Sequence, residues 1–403
     1  MKSYDVIIAG ARCAGASTAC FLAEQGYRVL LIEAYQAPGP TLSTHIIGET
    51  DIYDRLGLTG KFQAAKIPEM TRMRVDLDGR VMESAICVTT RALSVRRELL
   101  DSWLLERAGS YPDVDILLGT KLVEMEIVEG EAEEDCSVKI TGHNEQGEKI
   151  LAQAKVVVGA DGRHSTVSEL ANAPMERESD KDHLAVIYAY FKGLLPLPIP
   201  TVEWYWTYPG LMLCNPLDNG LHCIAWMTPQ AQFNPQRKDL KAYLLQSLAR
   251  IETLAPRLTH SEITGRVKGV PAKASYIRQP YGDGWVLVGD ASAYLHPVSG
   301  SGIDNAICMA EQLAAQLHLY LRGDLSWQQA MASYKQHRDE RIIPQYDACL
   351  QTLSRAGEQL EEDQLQALDW LLTFPSLSKS LTGQAASIYH NLTGGHTHAG
   401  MPQ

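Results

Sequence analysis

Along the first thirty residues the apolar positions change period. Tyr4 to Ala9 is a short apolar, β-branched run, too short for a helix. From Ala14 the apolar positions recur at helical spacing through Thr18, Phe21 and Leu22, and Tyr27-Arg-Val-Leu-Leu-Ile-Glu33 returns to a strand pattern. The pattern predicts a strand at 4–9, a helix at 14–25 and a strand ending at Glu33, the βαβ unit that starts a doubly wound sheet. Residues 70–95 alternate polar with apolar around Asp78-Gly79, a hairpin signal. Arg96-Arg97-Glu98 then opens a helix with Leu99, Leu100, Trp103 and Leu104 on its buried side.

Strands near 114–118, 121–128 and 136–141, closed by Lys155-Val-Val-Val-Gly159-Ala-Asp161-Gly162, are expected to form a second βαβ-like component. Residues 183–230 differ in composition: aromatic-rich strands bounded by Pro and Gly, expected as a separate sheet covering a substrate. On its strands Trp204 and Trp206 share one face and Tyr205 takes the other, while Tyr188 and Tyr190 share a face. A helix at 237–250 and a strand at 262–270 follow, and Trp285-Val-Leu-Val-Gly289-Asp290 returns the chain to the first sheet. From 303 onward the spacing is helical, and His396 and His398 fall in a loose tail.

The expected class is therefore α/β (α+β): a Rossmann-like dinucleotide-binding domain from 1–69, 96–175 and 273–330, an inserted, mostly antiparallel substrate domain from 70–95 and 176–272, and a C-terminal helical region, 331–403. A net charge of -12 argues against nucleic acid as a partner. The eight cysteines form no CxxC pair and no metal-ligand spacing, which suits reduced core thiols and a cytoplasmic setting. No signal sequence is evident, and no uncharged apolar run is long enough to span a membrane.

Two glycine-bearing segments carry the chemistry. In Gly10-Ala-Arg12-Cys13-Ala14-Gly15 the first glycine permits a tight turn and the last lets a helix pack on its strand. Arg12 replaces the middle glycine and can add a phosphate contact beside the helix N-terminus. Glu33, ending the second strand, is placed to bind ribose hydroxyls and to repel a 2′-phosphate. Far downstream, Gly289-Asp290 follows an apolar strand, where the carboxylate can bind ribityl hydroxyls, and Pro297, Gly300, Gly302 and Ile303 lead into a helix whose N-terminus can stabilise a reduced flavin. Two such segments so far apart point to one large cofactor touched at both ends, FAD.

With Arg97 in a basic-x-x-Leu-x-x-x-Leu helix and Gly159-Ala-Asp161-Gly162-Arg-His-Ser165, the set resembles the para-hydroxybenzoate hydroxylase fold, a superfamily of class A flavin monooxygenases, geranylgeranyl reductases and flavin-dependent halogenases. The resemblance implies that Arg97, with Arg96, reaches the FAD phosphates or ribityl chain, that Asp161 supports the pyrophosphate, and that Leu122 sets backbone groups against adenine. Ser43-Thr44-His45 is similar to a segment of related bacterial oxidoreductases, and it makes His45 a candidate catalytic residue beside the flavin; His296, in the flavin loop, is the other. Tyr188, Tyr190, Trp204 and Trp206 are the expected substrate pocket.

No second dinucleotide fingerprint occurs, so NAD(P)H would bind only transiently as reductant. The leading expectation is a monooxygenase that uses O2 and a flavin C4a-hydroperoxide to hydroxylate an apolar or aromatic small molecule, as a monomer or homodimer. A geranylgeranyl reductase-like reduction of C=C bonds uses the same binding elements. A halogenase is suggested by Trp204-Tyr-Trp206-Thr-Tyr-Pro209 and Ile47-Gly48-Glu49, but it requires a lysine between flavin and substrate, for which Lys61 and Lys66 are the candidates. A flavin-binding module without enzymatic activity is the remaining class.

Overall fold

The strand β1 (Lys2–Ala9) crosses through α1 (Cys13–Glu24) to β2 (Val29–Ile32), which runs parallel to it with Val6 opposite Val29 and Ala9 opposite Ile32. The computed structural model describes residues 1–39, 41, 43–48, 50–86, 91–128, 137–179, 184–356 and 358–372. Val6, Ile7 and Ile8 are all buried, as a parallel strand covered on both faces requires. Every residue of α1 from Cys13 to Ala23 is buried, and its run of Ala, Gly, Ser and Cys lets the helix axis come close to the sheet.

The alternating segment forms the hairpin of β3 (Arg72–Leu77) and β4 (Arg80–Ala85). Asp78 and Gly79 both take positive φ, 46° and 87°, as a two-residue type I′ turn demands. Next, α2 (Arg97–Gly109) leads to β5 (Val114–Leu117), which extends the parallel sheet beyond β2. The expected βαβ-like component is instead an antiparallel meander: β6 (Thr120–Val128), β7 (Ser137–Asn144) and β8 (Lys149–Gly159) pair in sequence, and only β8 lies parallel to β1. The connections between these strands are shorter than the dozen or so residues a parallel crossover needs.

The aromatic segment supplies β9 (Leu184–Lys192), β10 (Thr201–Thr207), β11 (Gly210–Pro216) and β12 (Leu221–Pro229), followed by α3 (Leu240–Ala249) and β13 (Glu262–Val270). With the earlier hairpin they form a seven-stranded sheet in the order β13-β9-β12-β11-β10-β3-β4, antiparallel except where β10 meets β3. Its inner face, with Tyr188, Trp204 and Cys223, shares a core with α1, whereas the outer face, with Tyr205 and Trp226, packs in a separate core that includes Leu244 and Leu248 of α3.

Then β14 (Trp285–Leu287) joins β8 in parallel and completes the row β14-β8-β1-β2-β5. The chain ends in α4 (Gly302–Leu321), α5 (Trp327–Arg355) and α6 (Glu362–Leu372), with α4 packed on both α1 and α5. Arg338 of α5 is fully buried, donates to the Arg278 carbonyl at 2.8 Å and pairs with Glu176 at 3.0 Å, which ties the C-terminal helix to the inserted segment. His396 and His398 lie outside the described residues. The fold is thus α/β, a Rossmann-like sheet with an inserted, mostly antiparallel sheet and C-terminal helices.

A methyl group at Gly15 would stand 1.7 Å from the Gly10 carbonyl oxygen, which is fixed backbone. We expect Gly15→Ala to destabilise the fold by about 3 kcal/mol or more, beyond ordinary overpacking. Gly60→Ala, a helical position with nothing within 4 Å of the new methyl group, should cost nothing. Urea melts of the two variants make the comparison.

Candidate active site

At the carboxyl ends of β1, β2 and β8 a cleft of about 580 Å³ opens, the position where parallel α/β sheets hold ligands. Gly10, at φ 98°, turns the chain into α1; a side chain there would meet the Ala160 carbonyl at 2.5 Å. Arg12 is the N-cap of α1 and lines the cleft with Cys13 and Ala14 of the first turn. Glu33, just past β2, accepts the Ala11 N–H at 2.9 Å and the Tyr35 N–H at 3.1 Å, so its carboxylate is fixed at the cleft edge with further lone pairs open. Leu122, entering from β6, continues the same wall.

The adjacent arginines at the start of α2 serve opposite sides. Arg97 lines the cleft and is held by Asp101 one turn on, at 3.0 and 3.1 Å. The Cys13 thiol donates to that same carboxylate at 3.0 Å, and burial keeps it protonated by raising its pKa well above the ordinary value. Arg96 is a correction to the sequence expectation. It does not reach the cleft but makes a bidentate pair with the buried Asp218 at 2.8 and 2.7 Å, pinning α2 to the second sheet.

On the far wall Asp161 caps the turn after β8 by accepting the Thr166 N–H at 2.7 Å. Asp290 follows β14; burial raises its carboxyl pKa, and Arg163 and Arg97 pull in the other direction. Pro297, Gly300, Gly302 and Ile303 complete the wall at the N-terminus of α4. A Cβ at Gly300 or Gly302 would meet no atom within 4 Å, so both glycines border open space. Gly15 and Gly289 do not line the cleft. Gly289, at φ 63°, brings the β14 end within 3.0 Å of where its Cβ would meet Ala14, and so lets α1 and α4 approach.

The two candidate histidines lie behind the wall rather than in it. His45 is buried at φ 64°, with Nε2 3.0 Å from the Tyr190 hydroxyl. Burial, then Arg97 and Arg96, push its pKa down to about 3, so the ring is neutral. Its neighbours Ser43 and Thr44 do face the cleft. Tyr190, Cys223 and Asn215 stand opposite one another across β9, β12 and β11, and this row holds the segment residue by residue: Tyr190 on His45, Asn215 Nδ2 on the Thr44 carbonyl at 3.3 Å, Cys223 Sγ on the Ser43 carbonyl at 3.9 Å. His296 accepts the Val298 N–H through Nδ1 at 3.1 Å, which leaves Nε2–H to donate to the Leu184 carbonyl at 3.0 Å.

Among the expected pocket aromatics, Trp204 and Tyr190 pack in the shared core and Trp206 is half-buried, while Tyr188 lines a second, neighbouring cavity. Lys61 is held by Glu106 at 2.8 and 2.9 Å and Lys66 is exposed; neither lines the cleft, and Glu49 lies outside the described residues. Arg163, whose guanidinium sits 5.2 Å over the Tyr294 ring, is a cleft residue that sequence patterning did not single out, because an irregular turn has no period from which to read direction.

A family model described as FAD binding domain matches residues 3–344. The chain belongs to the FAD-binding domain family. Protein FixC of Salmonella typhi is 26% identical over 368 residues, covering 84% of this chain and 82% of that one. The kynurenine 3-monooxygenase of Salinispora arenicola is 26% identical over 325 residues, covering 75% and 69%. The structure of the flavin-dependent brominase Bmp2 superposes with a TM-score of 0.80 at 19% identity, covering 98% and 94% of the two chains. The protein is therefore an FAD-dependent oxidoreductase with the fold of the class A flavin monooxygenase superfamily. The cleft suits FAD on its own chemistry: the α1 N-terminus with Arg12 and Arg97 for a pyrophosphate, a second helix N-terminus at α4, carboxylates at both ends for hydroxyls, and glycines bordering the open space. Among the described residues no helix is long and apolar enough to cross a membrane.

Because folded His45 resists a proton that the unfolded chain accepts near pH 6.5, its contribution to stability is complete above that pH and declines as pH falls toward 3. The decline is at most about 1.4 kcal/mol per pH unit. Urea melts from pH 7 to 4 should show a shallower slope in His45→Gln than in the parent.

Proposed function

We propose that this FAD-dependent oxidoreductase is an NAD(P)H- and O2-dependent monooxygenase that hydroxylates an apolar or aromatic small molecule. The observation that carries this reading is the apolar, aromatic inner face of the second sheet, clamped directly behind the cleft segment Ser43–His45 by Tyr190 and its row. Oxygen chemistry on a reduced flavin needs such a water-poor wall. Bound FAD supplies the redox and oxygen chemistry; the chain holds it and keeps water out.

In this assignment the α1 N-terminus and Arg12 take the pyrophosphate, with Asp161 holding the adjoining turn. Glu33 takes the adenosine ribose and the Leu122 backbone flanks adenine. Arg97 reaches the phosphates or ribityl chain, Asp290 binds ribityl hydroxyls, and the Pro297–Ile303 segment with the α4 N-terminus faces the flavin's pyrimidine edge. His45 and His296 are positioning residues: each fixes a cleft-forming segment through hydrogen bonds to groups outside the cleft.

Asp290→Ala should purify without flavin or with FAD affinity reduced at least about tenfold, the loss of a charge-assisted hydrogen bond; normal occupancy would remove Asp290 from the site. For the reaction, the holoenzyme is supplied with NADPH or NADH, 18O2 and a panel of aromatic compounds that includes kynurenine. Incorporation of one 18O atom into product supports the monooxygenase. A bromide-dependent product, or saturation of a C=C bond without 18O, would replace it with a halogenase or a reductase.

A further inference from the structure

We propose that the cavity beside the flavin cleft binds the anionic end of the organic substrate, so that the substrate is a small molecule with an apolar body and a terminal carboxylate or phosphate. This inference rests on the monooxygenase reading for the word substrate, but the site itself is argued from its own geometry. The cavity measures about 520 Å³ and shares Thr41 and Arg163 with the wall of the flavin cleft, so the two spaces adjoin. Its apolar side is formed by Tyr188 and Leu240, and its polar side by Arg163, Arg266 and Lys268.

Arg266 and Lys268 make no ion pair with any described residue, in a chain that carries a net charge of -12, while Arg163, at the rim shared with the flavin cleft, lies in the field of Asp290 and over the Tyr294 ring. Unpaired positive groups gathered round one concavity on an acidic protein focus the local field and favour an anion there. The backbone is shaped to the same end. Tyr188 of β9 lies opposite Lys268 of β13, yet Tyr190, two residues on, lies opposite Thr264, so β13 bulges between them. Gly265, at φ 78°, and Arg266 occupy that bulge. Bulges of this kind re-aim side chains beside binding sites. Lys268 Nζ stands 5.9 Å over the Tyr188 ring, and that ring lies 6.3 Å from Tyr190, whose hydroxyl holds His45 behind the flavin cleft. An anion held by Arg266 and Lys268 would therefore direct an apolar body along Tyr188 toward the cleft.

The test uses the FAD-loaded full chain and its Arg266→Ser/Lys268→Ser variant, neither position lying in the flavin cleft. Calorimetric titration with benzoate and octanoate, against their neutral counterparts benzamide and octanamide, reads the site without requiring turnover, so a failure of the monooxygenase reading is seen separately in the 18O experiment. We expect at least one acid to bind the parent about tenfold more tightly than its amide, a preference abolished in the variant and weakened by added salt, with FAD affinity unchanged. Equal binding of both acids and their amides to the parent overturns the proposal, as does a variant that keeps the acid preference. A variant that loses NADPH affinity while retaining the acid preference assigns the cavity to the reductant instead and likewise overturns it.

Discussion

Everything in the cleft depends on one backbone contact. The turn at Gly10, the helix at Gly15 and the β8 end at Ala160 meet with no space for a methyl group, so the N-terminus of α1 is held directly over the carboxyl edge of the parallel sheet. That placement sets the direction of the α1 dipole and of Arg12. It also sets where α4 can lie, because Gly289 and Ala14 pack between the two helices. The second helix N-terminus therefore faces the same space as the first.

The second constraint runs between the sheets. Arg96 and Arg97 are neighbours in sequence but bind Asp218 on the inserted sheet and Asp101 beside the cleft, so the start of α2 is a rivet between the two halves. The Tyr190, Cys223 and Asn215 row makes a parallel attachment at Ser43–His45. Holding a non-glycine residue at φ 64° needs such surroundings, since isolated residues rarely stay there. The inserted sheet thereby also fixes a wall of the cleft.

Much of this was legible in the residues. Glycine spacing, an acid after the second strand and a Gly-Asp pair after a late apolar strand are local signals; together with Arg97, Leu122 and Asp161, which only the family resemblance implied, they name fifteen positions, and thirteen of these line one cleft. Gly15 and Gly289 do not, because a small residue serves close packing and ligand approach equally and only the neighbours tell which. The antiparallel meander departs from the βαβ-like expectation because apolar strands look alike whether they pair in parallel or antiparallel; connection length is the better guide. His45 and His296 drew notice by type and place, yet direction is tertiary: both rings turn into the protein, toward Tyr190 and Leu184. Arg163 had the reverse fate.

The cleft wall is drawn from Gly10 near the start of the chain to Ile303, about three-quarters of the way along its 403 residues, with the inserted sheet made in between. A ribosome therefore releases the whole inserted sheet before the last strand and helix of the cleft exist. During synthesis β1, α1 and β2 must wait with an open edge where β8 and then β14 will pair. Pairing across so long a separation is slow and leaves apolar strand edges exposed. The cleft is complete only late, and a product truncated before residue 303 carries a dinucleotide turn with no far wall to close upon it.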